Sequence, residues 1–430
     1  MPGLQPRSGD RGRPGHRGKA DLASPEIRRY LARVPLERIS SVHPLARASA
    51  TAARLSESVI REMTRLAMEH DAINLAQGFP DFPAPMQVKQ AALDAIEADM
   101  NQYPITWGQP SIREALAEKY RRFYGMQVDP EREICVTCGA TEAMITTMIG
   151  CIDPGQEVIV FEPFYENYGA AAVIVGASPR YVTLREPDWA FDEAELAAAF
   201  SNRTRAIVLN TPSNPTGKVF TREELTAIAR LCDKHGVLAI TDEIYEHIVY
   251  DGARHIPIAT IPGMEDRTVT ISALSKTYSV TGWRVGWAIA PPDLTDAIRR
   301  VHDYVTVGAP TPLQEAGAVA LSLPDSYYQQ LAAGYLERRD LMLQVLATAG
   351  LPATTPAGAY YVMTDASVLG VDDVAAAHTL VRQAGVAAVP GSSFYSRSGL
   401  GHSKLRFAYS KKLATLHEAG ERLARLGHAT

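Results

Sequence analysis

The chain has 430 residues, of which 46% are hydrophobic and 21% are charged, and its formal net charge at pH 7 is -5. These values are typical of a globular protein with two or three domains, and the weak negative charge gives no reason to expect nucleic acid or a membrane surface as a partner. No apolar run approaches the roughly 20 residues that a membrane-spanning helix requires.

Residues 1–50 differ from the rest of the chain because they are rich in Arg, Gly and Pro. Such a segment cannot bury enough apolar surface to fold alone, so we expect a disordered N-terminal extension. It lacks the apolar core of a secretory signal. Four acidic residues argue against a transit peptide, and they are Asp10, Asp21, Glu26 and Glu37.

A helix is predicted to begin near residue 55, where apolar residues recur along one helical face at Leu55, Val59, Met63 and Leu66. The segment 74–83 is rich in Gly and Pro and predicts an ordered loop. Capping boxes open two further helices, and their residue pairs are Ser111 with Glu114 and Thr221 with Glu224.

Short apolar runs alternate with these helices and predict the strands of a parallel sheet that carries helices on both faces. Connections between such strands are nearly always right-handed, which places the carboxyl ends of the strands on one edge, where ligands bind. The runs are residues 134–137, 158–161, 206–209, 237–240, 268–271 and 285–290.

The predicted fold class is α/β with two domains. A large domain with a mainly parallel central sheet is expected over residues 91–325. A long helical stretch near residues 325–349, short mixed strands and a terminal helix indicate a smaller α+β domain. We expect that domain to comprise residues 326–430 together with an N-terminal segment, residues 51–90.

Cys135 and Cys138 are separated by two residues, but no second pair of Cys or His residues lies nearby in the sequence. We therefore predict no metal site and interpret the pair as a strand end that carries two thiols. All four cysteines lie in apolar segments, which is typical of reduced thiols in the cytoplasm.

Polar residues follow several of the predicted strands. Gly139, Ala140 and Thr141 precede a helix, where backbone N–H groups can bind a phosphate, although such a start is also typical of a tight turn. The chain contains neither the dinucleotide-binding nor the P-loop glycine pattern, so a dinucleotide or a nucleoside triphosphate is not indicated.

Three further strand ends carry candidate residues. Asn214 lies among prolines, which predicts either a turn or a rigid platform for its amide. Asp242 ends an apolar strand, where a carboxylate costs several kcal/mol unless it pairs with a cation. It therefore forms a salt bridge or a helix cap, or it binds a ligand cation. Tyr245 is expected one helical turn away on the same side, and Tyr165 could stack on a planar ring.

Lys276 lies between small hydroxyl residues, and Arg284 follows eight positions later between Gly and Trp residues. A lysine in a tightly turning segment of small residues is unusual, because lysines are normally long, solvated surface residues. The spacing alone is equally compatible with an ordinary loop lysine.

Together, these segments resemble the class I/II aminotransferases, which are pyridoxal-phosphate enzymes of fold type I, from about residue 55 to residue 406. They look closest to the branch of the kynurenine, methionine and aspartate aminotransferases. The resemblance implies transamination between an L-amino acid and a 2-oxo acid in a ping-pong cycle through a pyridoxamine form, with a Schiff base on Lys276. The same scaffold also serves β-lyases, cyclases and amino-acid oxidases. A regulator would require a DNA-binding domain, for which the N-terminal segment is too short.

The resemblance assigns the residues around the cofactor ring. Lys276 matches the lysine that binds pyridoxal phosphate covalently, and Asp242 matches the carboxylate that keeps the pyridine nitrogen protonated. Tyr165 matches the aromatic residue stacked on the ring, while Asn214 and Tyr245 match the groups that hydrogen-bond the phenolic oxygen.

The resemblance also assigns a phosphate site, in which Ala140, Thr141 and Arg284 match the ligands of the phosphate. Tyr103 resembles the tyrosine that reaches the phosphate of the partner subunit, which implies a homodimer. One position departs from the family pattern, because Ala273 stands where a phosphate-binding serine is common. Two neighbouring serines are the candidates to replace it, and they are Ser272 and Ser275.

On the substrate side, Arg406 resembles the arginine that binds the α-carboxylate, with Gly78 and Asn214 near the same group. The guanidinium fork matches a carboxylate, and Leu405 and Phe407 are expected on the opposite strand face. Aromatic residues near the loop favour a donor with a neutral or aromatic side chain, and they are Phe79, Phe82 and Trp107.

Overall fold

The computed structural model describes residues 49–425 of the chain. The predicted N-terminal extension, residues 1–50, therefore lies outside the described residues except for Ser49 and Ala50. A seven-stranded sheet dominates the structure, with the strand order β2-β8-β7-β6-β5-β3-β4. Its strands are β2 (Ile134–Thr137), β3 (Glu157–Glu162), β4 (Ser178–Thr183), β5 (Thr204–Asn210), β6 (Leu238–Asp242), β7 (Thr268–Ala273) and β8 (Gly286–Ile289).

Two smaller sheets use the remaining strands. A two-stranded parallel sheet pairs β1 (Ile73–Asn74) with β10 (Val386–Ala387). A three-stranded antiparallel sheet has the order β11-β12-β9 and consists of β9 (Tyr361–Asp365), β11 (Val389–Pro390) and β12 (Lys404–Ala408). The two-stranded sheet joins the predicted segment 51–90 to the region after residue 326, although the predicted domain boundaries themselves stay a prediction.

Thirteen α-helices are present in residues 49–425, and short 3₁₀ or π turns connect several of them. The first seven are α1 (Val59–Glu69), α2 (Met86–Glu97), α3 (Pro110–Tyr124), α4 (Ala140–Cys151), α5 (Asn167–Ile174), α6 (Glu193–Ala199) and α7 (Arg222–His235). The others are α8 (Leu274–Thr277), α9 (Pro292–Val305), α10 (Thr311–Leu321), α11 (Asp325–Thr348), α12 (Asp373–Thr379) and α13 (Leu413–Ala424).

Both faces of the large sheet are buried, as expected for strands joined by helical crossovers. Along β3, Val158 and Val160 belong to one buried apolar cluster, while Ile159 and Phe161 belong to another. This alternation places successive side chains on opposite faces of the sheet. Helices α4 and α9 pack against each other, and α4 also packs against β8.

Strand β8 is the exception to the parallel arrangement. It runs antiparallel to both of its neighbours, β2 and β7. All other neighbouring strands of this sheet pair in parallel, so the prediction of a mainly parallel sheet is confirmed. Because β8 lies between β2 and β7, it brings the turn before Gly286 close to the start of α4.

The six predicted strands are all present, with ends that differ by at most two residues. Strand β4 was not predicted, because its half-exposed sequence, which begins Ser178-Pro179-Arg180, lacks an apolar run. The capping box at Thr221 with Glu224 is confirmed at the start of α7.

Two predictions about helix starts are wrong. Helix α3 begins at Pro110, whose fixed φ suits the first helical position, so Ser111 lies inside the helix and does not cap it. The Ser111 hydroxyl instead donates to Glu315 at 2.8 Å. Helix α1 begins at Val59 with Ser58 as its cap, and Leu55 lies before it in extended chain.

No helix in residues 49–425 is long and apolar enough to cross a membrane. Within the same residues, no group of three or more His, Cys, Asp or Glu side chains is arranged to hold a metal ion. All four cysteines are free thiols, and burial raises the pKa of Cys135 to about 12.

Candidate active site

A cavity of about 330 Å³ opens at the carboxyl ends of β5, β6 and β7. Strand β5 ends at Asn210 and β6 ends at Asp242, while α8 follows directly after β7 and carries Lys276. The cavity brings together eleven residues predicted from the sequence, which are Gly78, Ala140, Thr141, Tyr165, Asn214, Asp242, Tyr245, Ser275, Lys276, Arg284 and Arg406.

The Lys276 amine is directed into this cavity from the single turn of α8. Its Nζ donates a hydrogen bond to the carbonyl oxygen of Gly78 at 3.1 Å. Burial lowers the pKa of the ammonium to about 8, although the charge of Asp242 opposes this effect. Lys276 is therefore far more often neutral at physiological pH than a surface lysine, whose pKa is about 10.4.

The Asp242 carboxyl is buried at the end of β6. It accepts hydrogen bonds from the Tyr168 hydroxyl at 2.8 Å and from the backbone N–H of Ile244 at 3.2 Å. Burial raises the pKa of Asp242 to about 6, against the effect of these hydrogen bonds and of Lys276. A cationic group in the cavity would favour the ionised carboxylate.

Asparagine side chains fix the loop after β5. The Asn210 amide donates to the carbonyl oxygen of Asp242 at 2.9 Å, and its own oxygen accepts from the backbone N–H of Asn214 at 2.7 Å. The side-chain oxygen of Asn214 accepts from Arg406 at 2.7 Å. The amide nitrogen of Asn214 is therefore the part of this side chain that can donate to a ligand.

Tyr245 lines the cavity on the same side as Asp242, but the segment after β6 is a turn and not the helix that was expected. The reason is local, because the backbone N–H groups of Glu246 and Ile248 bind carbonyl oxygens three residues earlier. The Tyr245 hydroxyl lies 3.0 Å from the hydroxyl of Tyr361.

Two glycines shape a backbone cradle at the start of α4. A Cβ on Gly139 would lie 2.3 Å from Nη2 of Arg284, and one on Gly286 would lie 2.6 Å from the backbone nitrogen of Ala140. Gly139 also has a φ of +82°, which favours glycine. The cradle exposes backbone N–H groups at a helix N-terminus beside a guanidinium, which is a suitable environment for a phosphate.

Arg284 is held over this cradle by its own hydrogen bonds. Its Nη1 donates to the carbonyl oxygen of Thr281 at 3.0 Å, and its Nη2 donates to that of Cys138 at 3.4 Å. The residue has a φ of +56°, an uncommon conformation for a residue with a side chain. Such backbone strain is often found where a side chain must be placed for binding.

The two candidate serines differ in their surroundings. The Ser272 hydroxyl donates to Glu246 at 3.0 Å inside the protein and does not line the cavity. Ser275 does line it, next to Lys276. Ser275 is therefore the serine that can contact a ligand, while Ala273 ends β7 with its side chain buried.

Arg406 is fully buried on β12, and Leu405 and Phe407 belong to the apolar core, as expected. Its guanidinium carbon lies 4.4 Å from the centre of the Tyr361 ring and 5.0 Å from that of Phe394. The Arg406 Nε has no hydrogen-bond partner among the described atoms. A buried guanidinium with an unpaired N–H group beside a cavity is suited to bind a carboxylate.

Gly78 is packed tightly against Tyr361, because an added Cβ would lie 2.0 Å from the hydroxyl oxygen of Tyr361 and would force that side chain to move. Among the aromatic residues expected near the substrate, only Phe79 lines the cavity. Phe82 packs edge-on against Tyr335, and Trp107 packs beneath Arg299, so the expectation was wrong for these two residues. Both lie at contacts between elements that the linear sequence does not reveal.

Tyr103 does not line the cavity of its own chain and is 84% exposed. Its predicted role concerns a partner subunit, and it stays a prediction.

Several residues of the site were missed in the sequence. Tyr168 follows Tyr165 by three positions near the start of α5. This helical spacing could have indicated that both tyrosines lie on the same side. Tyr361 lies far along the chain on β9 and gave no signal. The cavity rim includes Arg61 and the hydrogen-bonded pair Ser58 and Glu166, which were also not identified.

The comparisons with known proteins agree with this geometry. The family model described as "Aminotransferase class I and II" matches residues 70–423. Human kynurenine–oxoglutarate transaminase 1 is 38% identical over 396 residues, which cover 84% of this chain and 94% of that protein. The probable N-succinyldiaminopimelate aminotransferase DapC of Mycobacterium tuberculosis is 39% identical over 379 residues, covering 85% and 95% respectively.

Solved structures resemble the chain over most of its length. N-succinyldiaminopimelate aminotransferase from Mycobacterium tuberculosis has a TM-score of 0.86 at 38% identity and covers 88% of this chain and 100% of its own. YbdL of Escherichia coli, described with a methionine aminotransferase function, has a TM-score of 0.85 at 35% identity, with 88% and 99% covered. Aspartate aminotransferase from Thermus thermophilus has a TM-score of 0.83 at 34% identity, with 88% and 99% covered.

Proposed function

The chain belongs to the class I and II aminotransferases, and we propose that Lys276 is the catalytic residue with which it exchanges an amino group between an L-amino acid and a 2-oxo acid. The family uses pyridoxal 5'-phosphate, and the fold is that of fold type I. The observation that carries the assignment of Lys276 is its position in the cavity together with its lowered pKa of about 8. An amine that is partly neutral near physiological pH can act as a nucleophile and as a base.

The cavity fits pyridoxal phosphate on two observations. The glycine cradle at the start of α4 leaves room beside Arg284 for a phosphate, and Ala140, Thr141 and Ser275 lie around it. Asp242 is a buried carboxyl that lines the same cavity, and it would favour the protonated form of a pyridine nitrogen bound there. When bound, the cofactor supplies a carbonyl carbon that takes up the amino group and a ring that accepts electrons from the substrate.

The residues of the chain divide the remaining tasks. Asp242 keeps a proton on the ring nitrogen through its negative charge, and Tyr168 orients that carboxylate. Asn214 and Tyr245 would donate to the phenolic oxygen, and Tyr165 would cover the ring. The neutral Nζ of Lys276 would remove the proton from the substrate Cα and deliver it to the carbon that the cofactor supplies on the other side of the amino nitrogen.

Arg406 binds the α-carboxylate of the substrate, and Gly78 and Asn214 lie near the same group. Its guanidinium is buried between two aromatic rings and is held by Asn214, so it is already oriented before a substrate arrives. Such preorganisation lowers the entropic cost of binding and aligns the Cα–H bond with Lys276.

We also propose a cytoplasmic homodimer that takes part in amino-acid metabolism, including a biosynthetic process. The dimer is supported by Tyr103, whose ring is exposed and is available to reach the phosphate of the partner subunit. The four free thiols support a reducing compartment. Relatives named for N-succinyldiaminopimelate and for kynurenine and oxoglutarate support these compounds as the first donors and acceptors to test.

The proposal is tested by incubating the purified protein with pyridoxal phosphate, recording its visible absorption and screening amino acids against 2-oxoglutarate and pyruvate. We expect a visible band and formation of 2-oxo acid that requires an acceptor, both lost in Lys276→Ala and retained in the exposed control Lys412→Ala. Oxygen consumption is recorded in parallel. Formation of 2-oxo acid without an acceptor would instead assign the enzyme to lyase, cyclase or oxidase chemistry, and absence of the band would refute the proposal.

A further inference from the structure

Tyr361 lines the active-site cavity, but neither the family pattern nor the proposed mechanism assigns it a role. The residue begins β9 and is almost completely buried. Its hydroxyl lies 3.0 Å from that of Tyr245, and its ring lies beneath the guanidinium of Arg406. The hydroxyl also fills the space that a side chain on Gly78 would need. Tyr361 thus touches both the substrate side and the cofactor side of the proposed site.

The contact between the two hydroxyls restricts their protons. Each hydroxyl carries one proton, and their short contact uses one of the two. The pair therefore has a single O–H left that can donate into the cavity. If Tyr361 donates to Tyr245, the remaining proton belongs to Tyr245; in the reverse arrangement it belongs to Tyr361.

The proposed role of Tyr245 fixes the direction of this contact. A Tyr245 hydroxyl that donates its one proton to the phenolic oxygen of the cofactor can only accept from Tyr361, so Tyr361 is the donor within the pair. Burial and the charge of Asp242 raise the pKa of both hydroxyls, so both stay protonated and able to donate. The ionisable groups that face the pair are Tyr165, Asp242, Lys276, Tyr360 and Arg406.

We propose that Tyr361 is a positioning residue that donates its proton to Tyr245 and thereby directs the Tyr245 proton at the phenolic oxygen of pyridoxal phosphate. This inference rests on the proposed function. Hydrogen bonds in such a chain strengthen one another, so Tyr245 donates more strongly with Tyr361 behind it than alone. Tyr361 also links the α-carboxylate site to the cofactor site, because its ring contacts Arg406.

The inference has a spectroscopic consequence. A hydrogen-bond donor to the phenolic oxygen stabilises negative charge on that oxygen. The oxygen then holds less strongly the proton that it shares with the Lys276 nitrogen, and the visible band at long wavelength depends on that proton. The pH at which that band is lost therefore falls when the donor is strong. Removing the Tyr361 hydroxyl should raise this midpoint, although the variant leaves every direct ligand of the cofactor in place.

The experiment is a spectrophotometric pH titration of the cofactor-loaded enzyme. We expect Tyr361→Phe to raise the midpoint by roughly 0.3 to 1 pH unit and Tyr245→Phe to raise it further. The double variant should match Tyr245→Phe alone, because Tyr361 acts through Tyr245. Tyr409→Phe is the matched control, since its hydroxyl binds Tyr250 and Ala359 in the same aromatic region but does not line the cavity.

An unchanged midpoint in Tyr361→Phe, or shifts that add in the double variant, would overturn the inference. Should Tyr361→Phe fold poorly by near-ultraviolet circular dichroism, 3-fluorotyrosine in place of Tyr361 keeps the hydroxyl and makes it more acidic. The midpoint should then fall, and a rise or no change would overturn the inference. A wild-type enzyme without any visible band would refute the proposed function itself, which separates the two failures.

Discussion

The Nη1 of Arg406 donates a hydrogen bond to the side-chain oxygen of Asn214 at 2.7 Å, across 192 positions of sequence. The two residues come from different sheets, since β12 carries Arg406 and the loop after β5 carries Asn214. One contact therefore fixes the orientation of the guanidinium and of the amide together, and it couples the substrate-binding side of the cavity to the cofactor side.

Arg406→Lys should lower kcat/KM for the amino acid by about 100-fold, or about 3 kcal/mol, mainly through a higher KM. A lysine retains the charge but loses the planar fork and leaves the Asn214 oxygen without its partner. Steady-state kinetics with a fixed donor measure the change. Arg230→Lys on the exposed face of α7 is the matched control, and a similar loss in that variant would show that the effect is not local.

Covalent uptake of pyridoxal phosphate by the cofactor-free protein should accelerate as the pH rises towards 8 and then level off. Only the neutral amine of Lys276 attacks a carbonyl carbon, and burial lowers the pKa of this group to about 8. At pH 7 roughly a tenth of the amine is neutral, so the rate should rise several-fold between pH 7 and pH 8. Stopped-flow absorbance follows the uptake, and a rate that still rises tenfold per pH unit above pH 9 would contradict the lowered pKa.

Asp242→Asn should abolish most activity yet stabilise the cofactor-free protein at neutral pH. Burial raises the folded-state pKa of Asp242 from 3.8 to about 6, so the folded chain binds more protons than the unfolded chain between these values, and stability falls as the pH rises through this window. The shift corresponds to about 3 kcal/mol. Urea unfolding should show the gain of Asp242→Asn at pH 7.5 and a smaller gain at pH 5, whereas an equal gain at both would argue against the shift.

Ser275→Ala and Ser272→Ala should separate a ligand contact from a structural one. Ser275 lines the cavity, so its loss should weaken retention of pyridoxal phosphate by roughly tenfold, as expected for one hydrogen bond to a charged group. Ser272 donates to the buried Glu246, so its loss should cost about 1 to 3 kcal/mol of stability with little effect on the cofactor. Equilibrium dialysis and urea unfolding of both variants test this pair of outcomes, and the reverse pattern would contradict it.

Mixing two inactive variants tests the role proposed for Tyr103. In a mixed dimer of Lys276→Ala and Tyr103→Phe subunits, one site has a natural Lys276 and receives the natural Tyr103 of the other subunit. Activity should therefore reappear after the subunits are exchanged, up to about half of the wild-type value in the mixed dimers. If Tyr103 acted within its own chain, no site in the mixture would contain both a natural Lys276 and a natural Tyr103. The activity of the mixture would then not exceed that of the separate variants.

The large sheet could be predicted well because its strands are continuous apolar runs buried on both faces, a pattern that depends on the local sequence. Strand β4 was missed because its residues are half-exposed at the edge of the sheet. The helix starts at Ser111 and Leu55 were misplaced because other nearby residues, Pro110 and Ser58, provide the stronger start signals.

The site residues that directly follow strands could be predicted from the sequence. Those that are brought to the site by packing between distant elements could not. Lys276, Asp242 and Asn214 each follow a strand, so their convergence follows from the topology. Tyr361 is brought to Tyr245 by the packing of a separate sheet, and Trp107 is drawn away beneath Arg299. Neither contact leaves a local trace in the sequence, because the partners are separated by more than a hundred residues.

The position of β8 between β2 and β7 has a consequence for the order of folding. The phosphate cradle combines Gly139 with Arg284 and Gly286, which follow Gly139 by about 145 residues. These residues come together only when β8 has inserted between β2 and β7. Closing so long a loop is slow, so we expect the cradle to be completed only after the local helices have formed. Binding of pyridoxal phosphate during refolding should thus occur late. It would report that β8 has inserted between β2 and β7.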